Sequence, residues 1–157
     1  PEETREVRYT AKGRKVLGQG GITPDFAVRF SRNLFTLELM SRGSFFSYAR
    51  KLVAGQTPLG QSLNFPEGQD KNKEFLVDSR VLDDFREYLQ SNKVNFEQEK
   101  FKEAEEEIKR ELTREIYSSW WGIEAGVAAF QKTDAAVLKA LEVIPEAAKF
   151  IAVKQFP

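Results

Sequence analysis

One apolar stripe in the second half of the sequence constrains the fold more than any other feature. Its members recur at steps of three and then four residues: Phe101, Ala104, Ile108, Leu112, Ile116 and Trp120. That spacing places them on one side of a helix whose other side is charged, as in a helix that packs against a core. The sequence therefore predicts an amphipathic helix over residues 96–120.

Similar spacing predicts helices on both sides of this segment. The helical period begins at Ser31 and predicts a first helix to about Ser41 and a second from Phe45 to about Gly55. Another helix begins after Asp78, a residue type that caps helix N-termini. Residues 55–77 are rich in Gly, Pro, Gln and Asn around few apolar side chains, so they predict a surface loop.

A last helix is expected after Thr133 or Asp134, with Pro145 kinking or restarting it. Its apolar positions are Val137, Leu138, Leu141 and Ile144. We expect the stripes at 81–89, 101–120 and 137–144 to meet in one helical core, so that Leu112→Ala lowers stability clearly.

The first 30 residues have the period of β-strands. Val7 and Tyr9 alternate with polar residues, 14–17 forms a plausible return strand, and alternation resumes at Phe26 and Val28 after a turn at Pro24. An isolated hairpin is marginally stable at best, so these strands need a sheet to join. The predicted fold is mainly α with a small β segment (α+β): strands over 1–30, then a helical domain over 31–157 with about five to six helices.

Composition excludes several classes of site. The 157 residues contain no Cys and no His, which excludes disulfides, thiolate zinc sites, thiol nucleophiles and His-containing triads. The 24 basic and 24 acidic side chains cancel, although residues 1–60 sum to +5 (ten basic, five acidic) and 61–157 to −5 (fourteen basic, nineteen acidic). We therefore expect no nucleic-acid partner, and no apolar run is long enough for a membrane span.

Two short patterns suggest chemistry but favour ordinary structure. Gly18-x-Gly20-Gly21 with Thr23 resembles a phosphate loop, yet Pro24 and an alternating segment follow where a helix is needed, so a backbone turn is favoured. Ser47 and Lys51 stand at i, i+4 and match a Ser/Lys pair, but nothing supplies a burying pocket or an oxyanion hole, and a solvated helix face is favoured.

Two further patterns suggest binding. Glu103, Glu107, Glu111 and Glu115 form a ridge that suits weak Ca²⁺ binding or a basic partner, although a solvated, self-repelling face is favoured. On that interpretation Glu107→Ala costs little stability. Trp120-Trp121 suggests a sugar or peptide platform, but Trp120 continues the apolar stripe into the core and leaves Trp121 for an interface. These patterns yield no catalytic residue, no cofactor-binding residue and no metal ligand.

The run RYTAKGRKVLGQGGITPDFAV at 8–28 resembles a segment of the carboxyl-terminal processing (tail-specific) serine peptidases. Gly13-Arg14 and the residues 20–25 are its specific part. The later pattern is also similar to the helical tails of bacterial members, from Phe45-Phe46 through Val81 and Leu89 to the segment after Asp134.

The resemblance implies a parent that cleaves proteins near their C-termini with a Ser nucleophile and a Lys base, both upstream of this motif, and usually with a PDZ domain. Neither catalytic motif occurs before Tyr9, and the chain opens at Pro1 with Met40 as its one Met, so we expect a non-catalytic C-terminal piece of a longer protein. Residues 1–30 would then end the protease-core sheet. Substrate contact through the missing domains and an exported, periplasmic or envelope location are implied by the family. Core docking, oligomerisation and adaptor binding stay open for the tail, and a free-standing helical interaction module is the alternative.

Overall fold

The computed structural model describes residues 6–9, 15–18, 26–28, 32–63, 65 and 74–151, with the backbone alone for 15–17 and 147–151. These residues form a mostly helical structure, as the sequence predicts. The β content is a two-stranded antiparallel ribbon of β1 (Val7–Tyr9) and β2 (Lys15–Leu17), in which Arg8 faces Val16. The α+β class is therefore met only loosely. Residues 26–28, which were expected to extend a strand, have an irregular backbone.

Eight helices are present in the described part of the chain, compared with the five to six expected. They are α1 (Leu34–Ser41), α2 (Ser44–Val53), α3 (Pro58–Leu63), α4 (Ser79–Ser91), α5 (Gln98–Glu103), α6 (Glu105–Trp121), α7 (Ile123–Gln131) and α8 (Ala135–Ile151). Three differences account for the larger number. The predicted loop at 55–77 contains α3, the predicted helix at 96–120 is interrupted at Ala104, and α7 adds a helix to the five named from the sequence.

Side-chain caps set where three helices begin. The Asn33 side chain accepts a hydrogen bond from the Phe35 N–H at the start of α1. Asp78 accepts from the N–H groups of Arg80 and Val81, and Asp134 accepts from those of Ala136 and Val137. Each cap satisfies backbone donors that the first helical turn leaves unpaired. The predicted cap at Asp78 is confirmed, and Asp134 rather than Thr133 caps the last helix.

One apolar core joins α1, α2, α4, α5 and α6. The predicted stripe supplies its longest run, with Phe101, Ala104, Ile108, Leu112 and Ile116 all buried. Facing it are the buried side chains Phe35, Leu39, Phe45, Tyr48, Ala49, Leu52, Val81, Leu82, Phe85, Leu89 and Val94. The expected meeting of the 81–89 and 101–120 stripes is therefore confirmed.

A buried polar cluster fixes the short helix α3 to this core. The Tyr48 hydroxyl donates to Asp84 Oδ2 over 2.9 Å, and the Leu59 N–H donates to Asp84 Oδ1 over 3.1 Å. Burial, together with the Asp84 charge, raises the pKa of the Tyr48 phenol well above its ordinary value, so the hydroxyl stays a donor. The carboxylate thus links α2, α3 and α4.

Helices α6 and α7 form an antiparallel pair. Gly122 ends α6 with φ 94°, a conformation that glycine adopts without steric penalty, and α7 then folds back along α6. The two helices approach closely at Gly126. A Cβ there would overlap the Ser118 hydroxyl and lie 2.5 Å from the Arg114 carbonyl oxygen. The pairing therefore depends on a missing side chain.

The last helix does not pack as predicted. Leu138, Leu141 and Ile144 are 49%, 59% and 56% exposed, so this stripe does not join the core. The core face of α6 is already covered by α1, α2 and α4, and α8 turns a different side inward. Ala136, Val137, Lys139 and Val143 are half-buried, and Lys139 Nζ lies 5.6 Å from the centre of the Phe26 ring. Pro145 lies inside the continuous helix.

Candidate functional site

An open groove of about 960 Å³ runs between α2, α6 and α7. Its apolar lining includes Phe46, Val53, Trp120, Ile123 and Val127, and its polar lining is Arg50, Arg114, Glu115, Ser118 and Ser119. Ligand-binding and peptide-binding sites are concave and combine apolar surface with polar groups, and this groove has both. It is therefore the candidate functional site of the described structure.

Helix α2 supplies one wall because it has apolar residues on two sides. Phe45 points into the core, so its neighbour Phe46 must point elsewhere, and it is half exposed at the groove. Arg50 stands one turn later, with its guanidinium carbon 5.6 Å from the centre of the Phe46 ring. Such a cation–π contact holds the Arg50 side chain along the wall while its charge stays in water. The wall thus offers an apolar surface with a cationic rim.

Helix α7 supplies the opposite wall. Ile123 and Val127 are four residues apart and so lie on one face of the helix. Ile123 is 78% exposed and Val127 is 46% exposed. Helix α6 lies between the walls and contributes Ser118, Ser119 and the half-buried Trp120. Exposed apolar side chains on both walls indicate a surface that binds an apolar partner.

Aromatic rings support one end of the groove. The Trp120 and Trp121 rings stack with centroids 4.0 Å apart, and Phe65 meets Trp120 edge-to-face at 4.6 Å. Phe75 adds a second edge contact to Trp120, and Tyr117 packs against Trp121. Both tryptophans are half-buried, so the prediction of a core position for Trp120 holds only in part. The rings occupy one another's faces, so the cluster forms a rigid groove end.

The predicted acidic ridge is wrong for two of its four residues. The Asn33 N–H donates to both carboxylate oxygens of Glu107, each over 3.1 Å. Glu111 is buried and lies between Arg114, at 2.9 Å, and Arg32, at 3.5 Å. These partners attach α6 to the segment that begins α1. At Glu107 and Glu111 the ridge is therefore an internal connection and not a solvated, self-repelling face, while Glu103 is exposed as predicted.

The environment of Glu111 combines opposing effects on its pKa. Burial raises the pKa above the ordinary glutamate value, while the charges of Arg114 and Arg32 act to lower it. Arg114 also pairs with Glu115 at 2.8 Å. Among the described residues, no group of three or more carboxylates is arranged to hold a metal ion. Arginine pairing accounts for the charge of Glu111 and Glu115.

The other sequence patterns lie apart from the groove lining. Ser47 is half-buried and Lys51 exposed on α2, and the Lys51 ammonium lies 5.3 Å from the centre of the Tyr88 ring. Within the described structure no hydrogen bond joins Ser47 to Lys51. The predicted turn at Gly20, Gly21 and Thr23 lies outside the described residues, while the Gly18 N–H donates to the Glu6 carbonyl at the open end of the ribbon.

Sequence reasoning missed the groove itself. A signal was present in the adjacent pair Phe45-Phe46, because two neighbouring aromatic residues on one helix cannot both face one core. Ile123 and Val127 gave a second signal, as an apolar pair at i, i+4 just after the longest helix. The sequence does not indicate that these two pairs lie on opposite sides of one groove.

Comparison with known proteins identifies no relative. No protein-family model, no curated protein and no solved structure matches this chain. In the described residues no helix combines the length and apolar character needed to cross a bilayer.

Proposed function

We propose that this chain is the non-catalytic, C-terminal helical portion of a carboxyl-terminal processing serine endopeptidase, and that its helices serve as a protein-docking unit. The motif at 8–28, with Gly13-Arg14 and Gly20 to Asp25, carries the assignment. Protein or peptide substrates would bind through the domains of the parent enzyme. The family implies an exported protein of the periplasm or cell envelope.

The two-stranded ribbon has the properties expected of the edge of a larger sheet. Val7 and Tyr9 are 41% and 69% exposed on β1, which leaves apolar side chains uncovered. Two strands of three residues are too small to be stable alone, and unpaired edges recruit further strands. A ribbon that completes the sheet of a larger catalytic domain would have these properties.

The coding sequence tests the peptidase assignment most directly. We expect the gene region upstream of the Pro1 codon to encode a Ser-containing motif followed by a Lys-containing motif. In the enzyme expressed with that region, replacing the Ser by Ala should abolish cleavage of a model substrate with an unstructured C-terminal tail. An upstream region without these motifs would refute the assignment.

A second test uses the 157-residue chain. We expect it not to cleave the tailed substrate at any concentration, because nucleophile and base would lie in the parent domains. Turnover that persists through repurification, and that is lost in Ser47→Ala or Lys51→Ala, would overturn this proposal and restore the Ser/Lys pair on α2 as a candidate.

The alternative is a free-standing helical interaction module. The open groove and the exposed stripe of α8 favour it, because both are surfaces that interaction proteins use. An immunoblot of the source cells separates the two proposals. A product much larger than 18.0 kDa supports the peptidase portion, and a stable product of 18.0 kDa with no larger precursor supports the module.

A further inference from the structure

We propose that two copies of this chain bind each other by seating the exposed stripe of α8 from one copy in the groove of the other. The α8 stripe is defined here as Leu138, Leu141 and Ile144, and the groove is the one between α2, α6 and α7. This proposal names the partner for the docking role given above and rests on that role, but it does not depend on the peptidase assignment.

Both surfaces expose apolar side chains. The α8 stripe has two successive i, i+3 steps on one helix, and i, i+3 is among the spacings with which amphipathic helices anchor in grooves. The groove presents Phe46, Ile123 and Val127 on its walls. One chain thus carries an exposed apolar ridge and an exposed concave site with apolar walls.

Helix α8 does not fill the groove of its own chain. The inward side of α8 carries Lys139, which lies over the Phe26 ring, and the stripe points elsewhere. The helix begins beside Arg32, Glu107 and Glu111, near the first half of α6. The groove lies along the second half of α6, around Ser118 and Trp120. The described arrangement therefore leaves the groove accessible to the helix of another copy.

Each surface carries one charge that suits the other. Arg50 at the groove rim pairs with no carboxylate among the described residues. Glu142 lies beside Leu138 at the edge of the α8 stripe, in an exposed pair with Lys139 that is weak in water. Helix α8 contains two lysines and two glutamates, so it has no net charge that would repel another copy. Arg50 and Glu142 are therefore the opposite charges that docking brings together.

A two-fold arrangement doubles the contact area. A stable interface buries roughly 1,200–2,000 Å² in total. If each copy places its α8 in the groove of the other, the same contact forms twice around a two-fold axis. The α8 stripe runs from Leu138 to Ile144, about 9 Å along the helix axis, and lies within the 17 residues of α8.

Sedimentation velocity and equilibrium of the purified full chain test the proposal. We expect a dimer that dissociates on dilution. Leu141→Glu and, on the groove side, Ile123→Glu should each weaken the dimer by about thirtyfold or more, because a charge would enter the centre of an apolar contact. Both residues are exposed in the monomer, so helicity and melting temperature of the dilute chain should be retained. The matched control is Leu34→Glu, the same change at an exposed leucine of α1.

A charge exchange tests the pairing across the interface. We expect Arg50→Glu and Glu142→Arg each to weaken the dimer by about fivefold, and the double variant to recover most of the loss. Because the chain has no Cys, cross-linking gives a direct readout. A short bismaleimide should cross-link V127C chains to L141C chains, and a mass tag on one of the two identifies the mixed dimer. Chains with L34C should give no cross-linked dimer with either variant.

Three outcomes would overturn the proposal. The first is a chain that stays monomeric up to high micromolar concentration. The second is a dimer that is insensitive to both Leu141→Glu and Ile123→Glu, since another surface would then hold it. The third is a dimer in which V127C cross-links only to V127C. None of these results bears on the upstream Ser and Lys motifs, so failure here and failure of the peptidase assignment are separate observations.

Discussion

Helices α6 and α8 have the same length and the same kind of apolar stripe, yet they differ in burial. Ile108, Leu112 and Ile116 of α6 have no exposed surface, whereas Leu138, Leu141 and Ile144 of α8 are about half exposed. The stripe on α6 meets α1, α2 and α4, whereas the stripe on α8 meets no comparable set of buried side chains among the described residues. Helical periodicity thus indicates that a face needs a partner but does not say where that partner is.

The largest test of this comparison replaces one leucine in each stripe. Leu112→Ala should lower the free energy of unfolding by about 2–5 kcal/mol, because it opens a cavity in a close-packed core. Leu141→Ala should change it by less than about 0.5 kcal/mol, as is usual for surface substitutions. Chemical denaturation of the dilute, monomeric chain measures both. Equal losses would mean that α8 packs into the core in solution.

A second test compares acidic residues on the two helices. Glu107→Ala should cost about 1–2 kcal/mol, because the Asn33 N–H at the start of α1 loses a charged acceptor. This corrects the expectation, drawn from the sequence, of little or no loss. Glu142→Ala removes an exposed pair within α8 and should cost less than about 0.5 kcal/mol. The same denaturation experiment ranks them, and a neutral Glu107→Ala would show that the link to α1 contributes little.

A third test compares the backbone at the C-terminal ends of α4 and α7. Lys93, after α4, has φ 58°, and its N–H and that of Val94 bond back to Gln90 and Leu89. This closure favours glycine, so Lys93→Gly should stabilise the chain by about 0.5–1 kcal/mol. Lys132 at the end of α7 has φ −60°, and Lys132→Gly should be neutral or destabilising. The melting temperature should rise for Lys93→Gly and should stay the same or fall for Lys132→Gly.

The smallest expected effect is a pH dependence of stability that arises from Glu111 on α6. Because burial raises the pKa of Glu111, folding favours the protonated carboxyl. The contribution of Glu111 to stability should therefore increase as pH falls from 7 through the raised pKa toward the ordinary glutamate value. The wild type should gain stability relative to Glu111→Gln over that range, while its difference from Glu146→Gln, an exposed position of α8, should change less. A difference that moves the other way would mean that Arg114 and Arg32 outweigh burial.

Elements that depend on neighbouring residues could be predicted from the sequence. Helix α1 ends at Ser41 as expected. Asp78 and Asp134 cap the helices that follow them, because a cap needs only the next few residues. Helix α3 was missed because Pro58 and Gly60 within it are typical of loops. Its stability comes from Thr57, whose hydroxyl accepts the Gly60 N–H, and from Asp84, which lies far along the chain.

The features that escaped prediction are long-range. Glu107 and Glu111 appear as a solvated ridge in a linear sequence because their partners near residue 32 are more than seventy positions away. The groove has the same origin, since Phe46 and Ile123 belong to helices that meet only when α2 packs on α6. The α8 stripe was assigned to the core for the same reason. Amphipathic spacing identifies an apolar helix face, but it does not identify the element that packs against that face.

The close approach at Gly126 has a consequence for how this sequence can vary. In a library randomised at this position, selection for the folded form should return glycine almost exclusively, because one of the two obstacles is the Arg114 carbonyl, which no substitution removes. A companion change of Ser118 to glycine would clear the hydroxyl but not the carbonyl. Position 126 therefore couples to the backbone of α6 and not to another side chain, and paired variation with position 118 should not appear among functional descendants of this sequence.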